Sequence, residues 1–205
     1  MDSAYPAALA FVLRWEGGFV DDPHDHGGRT MKGVTQNVYN AWRASQGLPA
    51  ADVKDISESE VAAIYSNDYW RKAFCNVLLS HIDLVQFDTA VNMGPIRAVK
   101  ILQQAVDVGV DGDFGQETQK ACDACSPPDT VARYCSIREA LYRRFAEAPG
   151  QDRFLAGWLN RLNALRAQAG VPGYVLRGGS EIDFGDTDHI ERVPDISPDE
   201  PIDAW

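Results

Sequence analysis

Apolar residues recur at helical spacing through most of the first 170 positions, and that period predicts a mainly α protein. In the first predicted helix Leu9, Val12, Leu13 and Glu16 fall at i, i+3, i+4 and i+7, so a carboxylate shares the apolar stripe. Ala8, Phe11 and Trp15 make a second stripe beside it, which predicts a helix apolar over most of its circumference and central to a domain. Pro6 suits its first turn and Gly17-Gly18 stops it. The next stretch, to Thr35, is polar and rich in glycine; it predicts a small β-type loop region after the first helix.

Beyond it the helical period returns. Thr35 caps a helix carrying Val38, Tyr39 and Trp42, which closes at Gly47-Leu48-Pro49. Ser57 and Glu60 have the spacing of a capping box ahead of Val61, Ile64 and Tyr65, in a helix that runs toward Tyr69-Trp70. Leu84, Phe87 and Val91 form another stripe, with Asp88 and Asn92 four apart on its edge. Ile96, Val99, Leu102 and Val106 continue to a stop at Gly109. Two last helices cover Val131 to about Ala146 and Phe154 to Ala169. Past Gly170 the period disappears, and Gly, Pro and acidic residues predict a poorly ordered tail.

The chemistry concentrates after the first helix. A carboxyl at Glu16 that faces the interior loses solvation and meets the negative end of the helix dipole, and both effects favour the protonated form that a general acid needs. The alternative is a solvated Glu16 bonded to Arg29 or Lys32. The following loop holds Asp21, Asp22, Asp25, His24, His26 and Gly pairs, and so offers a second carboxylate. Tyr69-Trp70 could stack on a sugar, although helical spacing assigns Trp70 to the core. Asp88 and Asn92 either satisfy buried backbone or line a groove.

Composition changes the picture in three places. The formal net charge of -11 argues against nucleic acid and anionic membranes as partners, yet from Gly178 to Trp205 there are nine acidic residues and one Arg, so the tail carries most of the excess. No run of 18 apolar residues and no basic, apolar leader is present, which predicts neither a transmembrane segment nor a signal peptide. Cys75, Cys122, Cys125 and Cys135 make no disulfide framework, and the Cys122/Cys125 pair lacks partners for zinc; buried thiols are expected, with no metal and no cofactor. The Asp-rich loop after Val106 also fails as an EF-hand, since counting from Asp107 places Thr118 where a bidentate Glu is required.

The run Trp15-Glu16-Gly17-Gly18-Phe19, the Asp22-Pro23 loop, Gly27-Gly28-Arg29-Thr30 and Gly33-Val34-Thr35 closely resemble the opening signature of glycoside hydrolase family 108, N-acetylmuramidases of a lysozyme-like α-helical fold. Asp88-Thr89-Ala90-Val91-Asn92-Met93-Gly94 resembles a further family segment. Leu102-Gln103-Gln104-Ala105 with Val110-Asp111-Gly112 and Thr118 resembles its C-terminal peptidoglycan-binding-type segment, and Phe154 to Arg161 its closing helix. The resemblance covers about residues 5 to 170.

It implies a peptidoglycan hydrolase cleaving the β-1,4 bond between N-acetylmuramic acid and N-acetylglucosamine. Glu16 is then the acid. The order Glu16, Asp25, Thr30 also resembles the Glu, Asp, Thr triad of phage-type lysozymes, with the last interval about a residue short, while Asp21 and Asp22 compete with Asp25 for the second role. Asp22, Thr35, Tyr69, Asp88 and Asn92 are the candidate substrate-binding residues, and glycan strands are the expected partner. The expected division is a lysozyme-like catalytic region at 1–95, a helical peptidoglycan-binding-type subregion packed on it at 96–171, and the acidic tail at 172–205. Isolated Ile182, Phe184, Ile190, Ile196 and Trp205 would suit docking of an inhibitor or a secretion component; a solvated, idle tail is the other reading. An enzyme of this kind would be made in the cytoplasm and reach the periplasm or cell wall by non-Sec export, holin release or lysis. Two rivals share the sequence features: a lytic transglycosylase using the same Glu, and a non-catalytic wall-binding or secretion-associated protein.

Overall fold

Pro6 opens the first helix, α1 (Tyr5–Val12), as its fixed backbone angle suits a first turn. The computed structural model describes residues 3–21 and 28–171, so Asp22, Asp25 and the acidic tail lie outside the described residues. Strands β1 (Phe19–Val20), β2 (Thr30–Met31) and β3 (Val34–Thr35) form an antiparallel sheet in that order, with Phe19 opposite Met31 and Met31 opposite Val34. Between β2 and β3 the chain reverses in two residues, Lys32 and Gly33, at φ of 50° and 73°. Positive φ at both central positions is the condition for the turn whose twist matches a two-residue hairpin.

The helices that follow are α2 (Gln36–Ser45), α3 (Glu58–Tyr65), α4 (Ile82–Met93), α5 (Pro95–Ala105), α6 (Gln116–Ala124), α7 (Pro127–Ala146) and α8 (Asp152–Gln168). The fold is thus mainly α and lysozyme-like, with a small sheet after the first helix. Thr35 Oγ1 caps α2 by accepting from Val38 N at 3.3 Å. Ser57 and Glu60 close the capping box of α3, and the Glu60 carboxylate also accepts from Arg43 and Tyr39, which ties α2 to α3. A π-helical turn, Ser66–Trp70, carries Trp70 into the core, where it is fully buried. Among the described residues no helix is long and apolar enough to cross a membrane.

The central helix is α4, not α1. Eleven of its twelve residues are buried, including Gln86, Asp88, Thr89 and Asn92, because α1, α5, α7, the π-helical turn and the short turn Cys75–Val77 all pack on it. An enclosed helix is normally apolar all round, and the polar residues of α4 therefore need internal partners. They have them: Gln86 donates to Ala73 O and accepts from Tyr134, and Thr89 donates to Val85 O. Phe87 lies edge-on to Trp70 at 5.3 Å between ring centroids. Gly94, at φ 85°, makes the break that lets Pro95 begin α5.

The first helix is also shorter than its stripe suggests. It ends at Val12, and the N–H groups of Arg14 and Trp15 bond to the carbonyls of Phe11 and Val12, three residues back. That tightened exit rotates Trp15 outward, leaving it 39% exposed instead of in a second buried stripe.

Candidate active site

Glu16 lies four residues past the end of α1, yet its side chain is only 2% exposed. Neither cation of the solvated alternative reaches it: Arg29 pairs with Asp52 at 2.7 Å and with Asp21 at 3.4 Å, and Lys32 pairs with Glu58. Its partner comes from the other end of the chain, where Arg161 Nη1 in α8 donates to Glu16 Oε1 at 3.0 Å. The other oxygen, Oε2, faces the hairpin. A Cβ on Gly33 would stand 3.1 Å from it and overlap the Tyr65 hydroxyl, so only glycine lets the turn approach this closely. Tyr65 in turn donates to Lys32 O at 2.8 Å and fixes the turn against α3.

Arg161 is shared. Its Nε donates to Asp88 Oδ1 at 2.9 Å, and Nη2 lies 2.9 Å from the same oxygen without hydrogen-bond alignment. Asp88 Oδ2 accepts from Arg138 Nη1 at 2.6 Å, and Arg138 continues to Thr89 and to the Tyr142 hydroxyl. Tyr142 then donates to Asn92 Oδ1 at 2.6 Å. Glu16, Arg161, Asp88, Arg138, Tyr142 and Asn92 thus form one buried chain of polar contacts linking the turn after α1 with α4, α7 and α8.

Their electrostatics diverge. Burial pushes the Glu16 carboxyl above its usual range; Arg161 pulls it back in part and Asp88 adds repulsion. Burial also pushes Asp88 up, but the two guanidinium groups outweigh it and hold that carboxyl below its usual range. Two carboxylates in one cluster are therefore assigned opposite protonation tendencies, with the proton favoured on Glu16.

A pocket of about 280 Å³ opens beside this cluster, lined by Trp15, Glu16, Asn92, Arg153, Phe154, Trp158 and Arg161 among others. Its aromatic wall is layered: Phe154 stacks on Trp158 at 5.9 Å and Trp158 on Tyr142 at 5.3 Å. Glu16 and Asn92 are thus brought together at one pocket. Asp88 supports it from behind, fully buried. Thr35 is the cap of α2, and Tyr69 is half-buried with its ring tilted against Tyr65 at 5.4 Å. Thr30 is buried in β2 and its hydroxyl donates to Gly28 O at 3.1 Å. Asp21 is half-exposed and paired with Arg29, while Asp22 and Asp25 fall outside the described residues.

Sequence reasoning missed Arg138 and Arg161. The signal was present: Arg138, Leu141, Tyr142 and Phe145, and Trp158, Arg161, Leu162 and Leu165, each follow the i, i+3, i+4, i+7 spacing that singled out Glu16. A charge inside an apolar stripe marks a buried ion pair as readily as a catalytic group. Among the described residues no three His, Cys, Asp or Glu side chains cluster as metal ligands. Cys75, Cys122 and Cys135 are buried thiols and Cys125 is half-buried.

The model of the Glycosyl hydrolase 108 family matches residues 9–94, and that of a Predicted Peptidoglycan domain matches 97–163. The structure of SagA from Brucella abortus is 31% identical, covers 82% of this chain and 95% of its own, and superposes with a TM-score of 0.67. The chain belongs to glycoside hydrolase family 108. Comparison with curated proteins returned no match. As a family 108 member with a peptidoglycan domain, the enzyme is a peptidoglycan hydrolase. The buried cluster crosses the boundary between the two matched segments, because Glu16 and Asp88 belong to the first and Arg138 and Arg161 to the second.

Proposed function

We propose that this enzyme is an N-acetylmuramidase that cleaves the β-1,4 bond between N-acetylmuramic acid and N-acetylglucosamine, with Glu16 as the general acid. The observation that carries the reading is a carboxyl held in dry surroundings at the edge of an open, aromatic-walled pocket. Such a group holds its proton more tightly than a solvated carboxyl does and can give it to the leaving glycosidic oxygen. Trp15 and Phe154 supply apolar faces for a pyranose ring. Asn92 Oδ1 is taken by Tyr142, so its amide NH₂ is what it offers a glycan.

A glycosidase of this type also needs a carboxylate that orients water or supports the positive charge at the anomeric carbon. The family resemblance gives that role to Asp25, with Asp22 as the alternative. Thr30, whose proton is spent on Gly28 O, keeps its oxygen lone pairs to accept from that water.

Digestion of purified peptidoglycan by wild type and Glu16→Gln, with mass spectrometry of the fragments, tests the reading. Reducing-end N-acetylmuramic acid from wild type and none from the variant is expected. A 1,6-anhydro end would make the enzyme a transglycosylase, a reducing-end N-acetylglucosamine would move the cleaved bond, and equal rates for both proteins would remove Glu16 from the acid role.

A further inference from the structure

The segment matched as a peptidoglycan domain supplies the one guanidinium, among the described residues, that bonds to the Glu16 carboxyl. Arg161 lies on α8, 145 positions from Glu16 in sequence, with its side chain 9% exposed. A residue whose only task was to bind wall polymer would point its donors outward. Arg161 instead divides them between Asp88, at 2.9 Å, and Glu16, at 3.0 Å.

This division has a directional consequence. A carboxyl oxygen that accepts a charge-assisted bond from a guanidinium is a poor site for a proton, so the Nη1 bond to Oε1 leaves the proton on Oε2. Oε2 is the oxygen facing the Gly33 turn. Asp88 keeps Arg161 in place, and Arg138 fixes Asp88 from the far side at 2.6 Å. The planar fork of Arg161 can span the two carboxyls; a lysine ammonium has no such fork.

We propose that Arg161 is a positioning residue for the general acid: it holds Oε1 as an acceptor, leaves Oε2 to carry the transferable proton, and so makes the 97–163 segment part of the catalytic centre as well as a wall-binding element. The proposal rests on the assignment of Glu16 as the acid. The charged and titratable groups around Glu16 are Arg161 from α8, Asp88 from α4 with Arg138 from α7 behind it, Tyr65 from α3, and the exposed Arg153 at the pocket mouth. Of these, Arg161 is the one that favours the ionised acid by direct contact, so its removal moves the proton affinity of Glu16 further upward.

The test compares the full chain with Arg161→Met, Arg161→Lys and Glu16→Gln on soluble, uncrosslinked glycan fragments, following kcat, KM and the pH profile alongside thermal unfolding. For Arg161→Met we expect kcat per folded molecule to fall by roughly 10- to 100-fold, as for a misplaced catalytic group. KM should stay within about twofold, and the high-pH limb, where the acid loses its proton, should move to higher pH. Arg161→Lys retains a cation, so its limb stays near that of wild type while kcat remains reduced. Wild-type kcat per folded molecule and an unmoved limb in Arg161→Met would overturn the proposal, as would a loss that follows folded fraction alone. Should Arg161→Met fail to fold, wild-type kcat in Arg161→Lys overturns it. An inactive Glu16→Gln beside unperturbed Arg161 variants sinks this proposal only; an active Glu16→Gln sinks the acid assignment as well.

Discussion

Two buried polar clusters in this hydrolase differ in reach and in charge. The one around Gln103 is local and built on a neutral amide. Its Oε1 accepts from the N–H groups of Asp111 and Gly112 at 3.1 and 2.9 Å, while its NH₂ donates to Asp111 Oδ1 and Asp113 O at 2.7 and 3.0 Å. All of its members lie within a few turns of chain, and the result is a braced loop. The cluster around Asp88 joins Glu16, Asp88, Arg138 and Arg161 across nearly the whole described chain and is ionic. A local network centred on one amide, with Asp111 its charged member, satisfies backbone groups that a loop would otherwise strand. The long-range ionic one costs desolvation, and what it provides in return is a fixed orientation for the carboxyl at the pocket.

Breaking the ionic cluster should therefore be the more damaging change. Asp88→Ala leaves two buried guanidinium groups without their shared acceptor, and we expect a loss of about 3–5 kcal/mol by denaturant unfolding. Gly33→Ala follows. A side chain at φ 73° is strained by ~1–2 kcal/mol, and overlap with Tyr65 and Glu16 adds roughly 1–3 kcal/mol; activity per folded molecule should fall because the turn can no longer approach Oε2. Gln103→Ala strands the Asp111 and Gly112 amides and should cost about 1–3 kcal/mol, with the pH profile of cleavage unmoved. An equal shift of the pH profile in Gln103→Ala would erase the functional distinction between the clusters. Smallest is Ser57→Ala, which removes the cap of α3 without touching a member of either cluster and should cost ~1 kcal/mol, read as a lower Tm.

The two clusters also differ in how far the sequence announces them. Leu102-Gln103 and Val110-Asp111-Gly112 lie close enough together for spacing to relate them, and the capping residues Thr35 and Ser57 act on N–H groups three positions away. Pairing across 145 positions leaves no spacing to read. Glu16 stood out as a charge in an apolar stripe, but its partner Arg161 shared that mark unnoticed, and nothing local joins the two. The same limit makes α1 look central from its sequence. Its stripe is apolar, while α4 carries Asp88, Thr89 and Asn92, whose burial becomes intelligible only once Arg138 and Tyr142 arrive from α7.

Acid and alkaline stability should separate the two carboxylates as well. Asp88, with its folded pKa depressed, contributes stability that is present above the unfolded carboxylate range and is lost as pH falls through the folded value. Glu16, raised by burial, works in the opposite sense: the folded state favours its protonated form, and that advantage is lost as pH rises through the folded value. Glu16→Gln mimics the protonated form and should match or exceed the Tm of wild type at neutral pH while losing activity.

The most direct test of the central claim is a carboxyl ¹³C NMR titration of the folded enzyme, with the Glu16 resonance assigned by its absence in Glu16→Gln. A midpoint above the ordinary glutamate value of about 4.3 is expected, moving higher still in Arg161→Met. A midpoint at or below that ordinary value would contradict the claim.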